Sequence, residues 1–292
     1  MTGVLRRIGD YGELVKFEHT VFALPFAAMG ATLATRYQGM AWPSLRSTLW
    51  VLVAMVCART AAMAFNRLVD ADIDARNPRT STRAIPAGII TRKSAAALTL
   101  CTCAGLVVSA GMLGPLCFAL SPFALAAVLS YSLAKRFTSW SHLWLGVAIG
   151  IAPTGAWLAL GGPWHAAPLM LSAAVALWVG GFDVLYSLQD EGFDRREGLH
   201  SAPVRLGGAR AMALSSVMHV GAVGLLLGIY AVLHLGPLYL IGVAVSAALL
   251  AYEHGIVRPN DLSRLDTAFF AVNGWLSVTL CLLTVLDGVF VR

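Results

Sequence analysis

Stretches of apolar residues long enough to cross a lipid bilayer recur along almost the whole of this chain, and that leaves very few folds open. A helix of about 20 residues matches the hydrocarbon core of a membrane. Nine such stretches can be placed, at about 15–37, 47–69, 93–113, 115–134, 140–161, 166–188, 209–232, 236–255 and 266–290. In hydrocarbon every backbone N–H and C=O must find a partner within the protein, so only helices or closed barrels qualify, and stretches this long read as helices. Of the 292 residues 58% are hydrophobic and 12% charged, against about 25% charged in soluble proteins, which decides against a globular enzyme with a large core. The expected fold class is an all-α integral membrane protein with nine transmembrane helices.

Charge placement sets the expected orientation. Seventeen of the 21 basic residues fall at the N-terminal end or in the connections after the second, fourth, sixth and eighth stretches; Arg36, Arg46 and Arg292 fall opposite and Arg59 lies within the second. The positive-inside rule then predicts a multi-pass protein of the inner, cytoplasmic membrane, with its N-terminus in the cytoplasm and its C-terminus outside. The same distribution takes nucleic acid out of consideration despite a net charge of +6. Cys57, Cys101, Cys103, Cys117 and Cys281 all sit in apolar stretches and read as buried free thiols. Residues 1–16 are followed by an apolar stretch without a small-residue cleavage signal, which reads as the first membrane helix, not a removable signal peptide. No soluble domain stands out, so residues 1–292 are expected to form one domain with two pseudo-repeated, motif-bearing halves. No obligate protein partner is inferred.

Two carboxylate columns interrupt this apolar pattern. Asn66, Asp70 and Asp74 are spaced four apart, as are Tyr186, Asp190 and Asp194, and adding 120 to the first set gives the second. Residues at i and i+4 share a helix face, so each set presents a column of oxygens. Both columns close a spanning stretch on the cytoplasmic side. Lone carboxylates at a helix end read as solvated; two copies at one spacing beside hydrocarbon read as a site. Asp72 and Glu191 fall off the column face and read as solvated, or as neighbours that support the site without meeting a metal.

Carboxylates repel a phosphate unless a cation lies between them. Mg²⁺ takes oxygen ligands and is commonly held by one or two carboxylates together with substrate phosphates. Two columns fit two Mg²⁺ ions around a diphosphate, with Asn66, Asp70, Asp74, Asp190 and Asp194 as ligands. Arg67, Arg79, Arg83, Lys135, Arg136, Arg195 and Arg196 are the cations available for the remaining oxygens. No Ser/His/Asp pattern, Walker-type loop or zinc spacing competes with this assignment. Such a site suits a substrate with a diphosphate head and a long hydrocarbon tail.

The motifs Asn66-x-x-x-Asp70-x-x-x-Asp74, with Arg67, and Asp183-x-x-Tyr186-x-x-x-Asp190-x-x-x-Asp194 resemble the paired aspartate motifs of the UbiA family of intramembrane aromatic prenyltransferases. Asn77-Pro78-Arg79-Thr80 with Arg83 and Pro86, Gly198-x-x-Ser201, and Tyr131-x-x-x-Lys135-Arg136-x-Thr138 are similar to the family's intervening segments. Residues 16–25 and Tyr252-Glu253-His254 resemble a bacterial 4-hydroxybenzoate polyprenyltransferase-like branch, some members of which are linked to menaquinone made by the futalosine route. Arg196 stands where many relatives have Lys, which keeps the charge. The resemblance implies helices around a central cavity, caps from the loops after the second and sixth helices, and two Mg²⁺ ions. It implies transfer of a polyprenyl group from polyprenyl diphosphate to a hydroxyaromatic acid, 4-hydroxybenzoate or a hydroxynaphthoate, in ubiquinone or menaquinone biosynthesis. Asp70, Asp74, Asp190 and Asp194 would be catalytic, and Asn66, Arg67, Arg59, Arg79, Lys135, Arg136, Asp183, Tyr186 and Arg196 would bind substrate; Lys16, at the entry of the first helix, reads as a donor contact or as a side chain at the level of the headgroups.

Other residues weigh less. Arg59 lies two turns before Asn66, and an Arg at mid-bilayer costs roughly 2.5–3.5 kcal/mol on insertion scales, so it should face the interior, as a substrate contact or as a partner to a neighbouring polar group. His219 and Asn273 read as inter-helix hydrogen-bonding groups, and the tryptophans as interfacial anchors. A secondary transporter is the alternative from another class, disfavoured because its coupling acids belong near the midplane beside broken helices. Within the family, haem or a chlorophyll precursor is the alternative acceptor.

Overall fold

The computed structural model describes residues 3–14, 23–40, 42–258 and 261–290, with side chains from residue 9 onward. Helices α1 (Gly3–Leu14), α2 (Leu24–Tyr37), α3 (Leu45–Val69) and α4 (Ala71–Arg76) come first. They are followed by α5 (Arg92–Leu113), α6 (Pro115–Ala134), α7 (Ser141–Ala159), α8 (Ala166–Ser187), α9 (Glu191–Arg196) and α10 (Ala202–Leu206). Helices α11 (Gly208–Leu233), α12 (Pro237–Ile256) and α13 (Asn273–Phe290) complete the order, with a 3₁₀ turn at Leu188–Asp190 and a π-helical turn at Thr267–Val272. Among the described residues there is no strand, only an isolated bridge between Arg258 and Asp261.

Eight helices among the described residues are long and apolar enough to cross a membrane: α3, α5, α6, α7, α8 running into α9, α11, α12, and α13 with its π-helical turn. Their limits lie within two residues of those expected, α8 running on. The ninth expected span, about 15–37, falls partly outside the described residues; its described part is α2, of 14 residues. The helix ends follow local chemistry. The Thr91 hydroxyl caps α5 by accepting from Ser94 N–H at 3.1 Å, and proline begins α6 and α12 where a missing N–H is harmless. Outer helix faces carry Leu100, Phe123, Val220 and Phe290 exposed, a surface suited to lipid and not to water.

Contacts divide the chain into two compact units, one of residues 1–20 and 49–133, the other of residues 21–48 and 134–292. The first has a small core of Leu14, Ala64, Ala71, Ile85, Ile90 and Ala95, which ties α1 and the loop after α4 to the end of α3. In the second, α7 packs on α8 through glycines. A Cβ at Gly146 would lie 2.1 Å from the Ala176 carbonyl oxygen, and one at Gly150 2.5 Å from that of Ser172. This Gly-x-x-x-Gly spacing lets two backbones meet where lipid provides no hydrophobic drive. At the far end of the same unit, buried Asp287 accepts from Arg36 at 2.7 Å and from the backbone N–H of Gly236 and Tyr239 at 2.8 and 3.3 Å. One carboxylate thereby joins α2 and α13 to the start of α12.

Candidate active site

In the first unit the site grows from the end of α3. The helix breaks at Asp70, whose φ of −91° and ψ of 1° leave the helical range, and α4 starts at the next residue. Backbone bonds from Asp70 N to Asn66 O (3.0 Å) and from Asp74 N to Asp70 O (2.8 Å) carry the i, i+4 spacing across the break. The column therefore survives, but not on the single uninterrupted helix that the spacing predicts. Asn66 Nδ2 donates to Asp70 Oδ2 at 3.1 Å, which turns Asn66 Oδ1 toward the buried guanidinium of Arg67. Asp70 and Asp74 are only 2% and 4% exposed. Arg83 reaches back to Asp74 Oδ1 at 2.7 Å, while Asp74 Oδ2 is buried with no hydrogen-bond partner.

The loop after α4 makes that return possible. Thr80 and Ser81 N–H donate to Asn77 O, Thr80 Oγ1 donates to Asp74 O at 3.0 Å, and Arg79 N–H donates to Asn77 Oδ1 at 3.0 Å. Arg79 itself is exposed. Asp72 is exposed and pairs with Arg92, off the column. Further down α3, Arg59 has a buried Nε with no partner, and Tyr131 of α6 lies close enough to act on it. Lys16 lies outside the described residues.

The second unit repeats the local geometry. Asp190 has φ −97° and ψ −2°, and a six-residue helix, α9, follows it just as α4 follows Asp70. Asp183 Oδ2 lies 2.7 Å from His142 Nδ1, and His142 Nε2 accepts from Ala202 N–H at 3.2 Å. The ring proton consequently sits on Nδ1 and points at Asp183. Asp194 is hydrogen-bonded by Ser201, with Asp190 and Lys135 near enough to act on its charge. His200 N–H donates to Lys135 O at 2.7 Å, which fastens the loop after α9 beside Lys135 within the second unit. Tyr186 is half-buried under the ring of Phe269, at 4.2 Å between centroids. Arg136 and Arg196 are exposed, and Arg195 pairs with Glu191 at 2.8 Å.

His142 is a site residue that the sequence pattern does not single out, because a histidine at the start of an apolar stretch looks like any interfacial side chain. As for a metal, each unit offers oxygen donors, and Asp74 Oδ2 is a buried acceptor still lacking a partner. Among the described residues no three His, Cys, Asp or Glu side chains converge as a complete ligand set. That donor chemistry fits a hard divalent cation which takes its other ligands from phosphate and water.

A multi-span membrane protein with two acidic, cation-flanked motifs at helix ends belongs to the class that handles substrates with a polyanionic head and an apolar tail. The UbiA prenyltransferase family matches residues 23–277, and the chain belongs to that family; it is a membrane prenyltransferase. The 4-hydroxybenzoate octaprenyltransferase of Alkalilimnicola ehrlichii is 29% identical over 84% of this chain and 83% of its own length. A UbiA homolog from Aeropyrum pernix K1, in its apo structure, is 33% identical, covers 92% of this chain and 98% of its own, and superposes with a TM-score of 0.83. A UbiA homolog from Archaeoglobus fulgidus bound to GPP and Mg²⁺ shares the fold at 18% identity, with a TM-score of 0.69 over 94% of this chain and 99% of its own. Family membership removes the transporter reading.

Proposed function

We propose that this prenyltransferase moves a polyprenyl group from polyprenyl diphosphate to a hydroxyaromatic acid in quinone biosynthesis. The observation that carries this reading is the repeated local geometry at Asp70 and Asp190, each the point at which a spanning helix gives way to a six-residue helix with a second acid four residues on. The name of the Alkalilimnicola relative puts 4-hydroxybenzoate ahead of a hydroxynaphthoate as acceptor, and the ligands of the Archaeoglobus homolog favour a prenyl diphosphate with Mg²⁺. Asn66, Asp70, Asp74, Asp190 and Asp194 are the ligands proposed for two Mg²⁺ ions. When bound, the ions neutralise the diphosphate that departs. Asp183 and Tyr186, with Arg67, Arg79, Lys135, Arg196 and Lys16, are assigned to the donor.

In the reaction the allylic C–O bond breaks, and the electron pair leaves with the diphosphate. The allylic cation is attacked by a ring carbon of the acceptor, and that carbon then loses its proton. Cationic side chains stabilise the departing charge, and a dry apolar surround keeps water from capturing the cation. An acceptor carboxylate needs a cation in the apolar interior. With Arg136 exposed, the buried Nε of Arg59 makes Arg59 the stronger of the two candidates. The proposal includes nine helices around a central cavity, caps from the loops after the second and sixth, and an inner-membrane setting with a cytoplasmic N-terminus.

The test is to incubate membranes containing the protein with Mg²⁺, polyprenyl diphosphates and a panel of hydroxyaromatic acids. Mass spectrometry of the lipid extract is expected to find a prenylated hydroxybenzoate. Product on none of the acids, with prenylation of haem or another acceptor, would overturn the acceptor assignment.

A further inference from the structure

The second unit also holds a buried polar chain that the proposed chemistry does not use. Glu253 of α12 is 1% exposed, and Asn273, where α13 begins, is 0% exposed. Trp178 Nε1 donates to Asn273 Oδ1 at 2.7 Å. An indole N–H can only donate, so the amide has one orientation, and its Nδ2 donates to Glu253 Oε1 at 2.9 Å and to Ala268 O at 3.0 Å. Glu253 Oε2 is buried without a hydrogen-bond partner, and His219 Nδ1 lies 3.9 Å from it. Polar groups like these are costly inside a membrane helix, and apolar side chains would pack there without the penalty.

What the chain holds in place is an aromatic column. Trp178, Phe182 and Tyr186 are spaced four apart on α8 and line one face of it. Phe182 meets Trp178 edge-on at 5.1 Å; Phe269 meets Phe182 edge-on at 5.2 Å and lies 4.2 Å from Tyr186. Phe269 belongs to the π-helical turn Thr267–Val272, a rare geometry that recurs at functional sites. Asn273 grips both parts: Trp178 at the foot of the column, and Ala268 O in the turn that brings Phe269 to its head.

We infer that the Glu253–Asn273–Trp178 hydrogen-bond chain is a positioning device for Tyr186, which it orients through the π-helical turn and Phe269. None of the three touches substrate in this scheme; they fix the direction in which the Tyr186 phenol is presented. The inference rests on the proposed role of Tyr186 as a donor contact. A purely structural network would instead lower stability and leave substrate recognition alone.

A double-mutant cycle on the full-length protein in lipid separates the two. Asn273→Leu and, more gently, Trp178→Phe are expected to raise the donor KM about 3- to 10-fold, the effect of one hydrogen bond, with the acceptor KM unchanged. In a Tyr186→Phe background the same changes should add less than about 1.5-fold, because coupled residues are not additive. Glu253→Gln keeps an acceptor oxygen for Asn273 and should behave as wild type, whereas Glu253→Leu should follow Asn273→Leu. Equal effects in both backgrounds, or a lowered melting midpoint with unchanged donor KM, would overturn the positioning role. A silent Tyr186→Phe would instead overturn the donor role of Tyr186, and the positioning inference with it.

Discussion

At the scale of single residues, burial and pairing sort the acids that spacing alone treats alike. Asp70 and Asp74 are buried in the column, whereas Asp72 is exposed and paired with Arg92. Replacing Asp70 or Asp190 by Ala removes an electrostatic contact made in the transition state, worth about 2.7–4 kcal/mol, so turnover should fall on the order of 10²–10³-fold. Asp72→Ala should stay within about fivefold of wild type, since exposed ion pairs contribute about 0–1 kcal/mol. Comparable losses in all three variants, measured as prenyl transfer in membranes, would show that the column has no special standing. Turnover should also vanish in excess chelator and return with Mg²⁺; full activity in chelator would sink the metal assignment. Arg59→Lys replaces a planar fork by a point charge, so the acceptor KM should rise more than the donor KM. The opposite pattern would reassign Arg59 to the diphosphate. The acids were legible in the sequence because i, i+4 spacing is a local property. The Arg83–Asp74 and His142–Asp183 pairs were not, because one needs a folded loop and the other needs two helices in register.

At the scale of elements, hydropathy marked the spanning helices but not the places where they deform. The break at Asp70 has no glycine or proline beside it, and the π-helical turn lies in an apolar run that reads as ordinary helix. Both depend on what packs against them, which no local window contains. Close approach of helices was equally silent, since glycine in a membrane helix has several uses. Once the helices are in place, Gly146 has one: its absent side chain leaves room for the Ala176 carbonyl. Gly146→Ala puts a methyl inside that contact and forces α7 from α8, a strain of about 1–3 kcal/mol or more. The melting midpoint in detergent should drop clearly, whereas Gly224→Ala, where a Cβ meets nothing within 4 Å, should leave it in place. Equal midpoints for the two variants would refute the backbone contact between α7 and α8.

At the scale of the whole molecule, the number of spans and the sidedness of the termini are one question. Eight spans run from Leu45 to Phe290, so an even number of crossings puts the start of α3 and the end of α13 on the same side. The N-terminal helix α1 lies opposite them only if the stretch at about 15–37 crosses as well. Seventeen basic residues on the side of the N-terminus and the two motifs, against three on the other, favour that ninth crossing. The prediction is read by thiol accessibility in intact cells, after Cys57, Cys101, Cys103, Cys117 and Cys281 are replaced by Ala. Gly9→Cys, in an exposed position with nothing within 4 Å of its Cβ, should be shielded from a membrane-impermeant maleimide until the cells are opened. Phe290→Cys, at a position 73% exposed, should react from outside. Labelling of both in intact cells would mean eight crossings with both ends outside. It would also mean that the apolar stretch before Tyr37 dips into the bilayer without spanning it. Labelling of Gly9→Cys alone would invert the protein and move both aspartate motifs to the outer face, away from cytoplasmic diphosphate substrates.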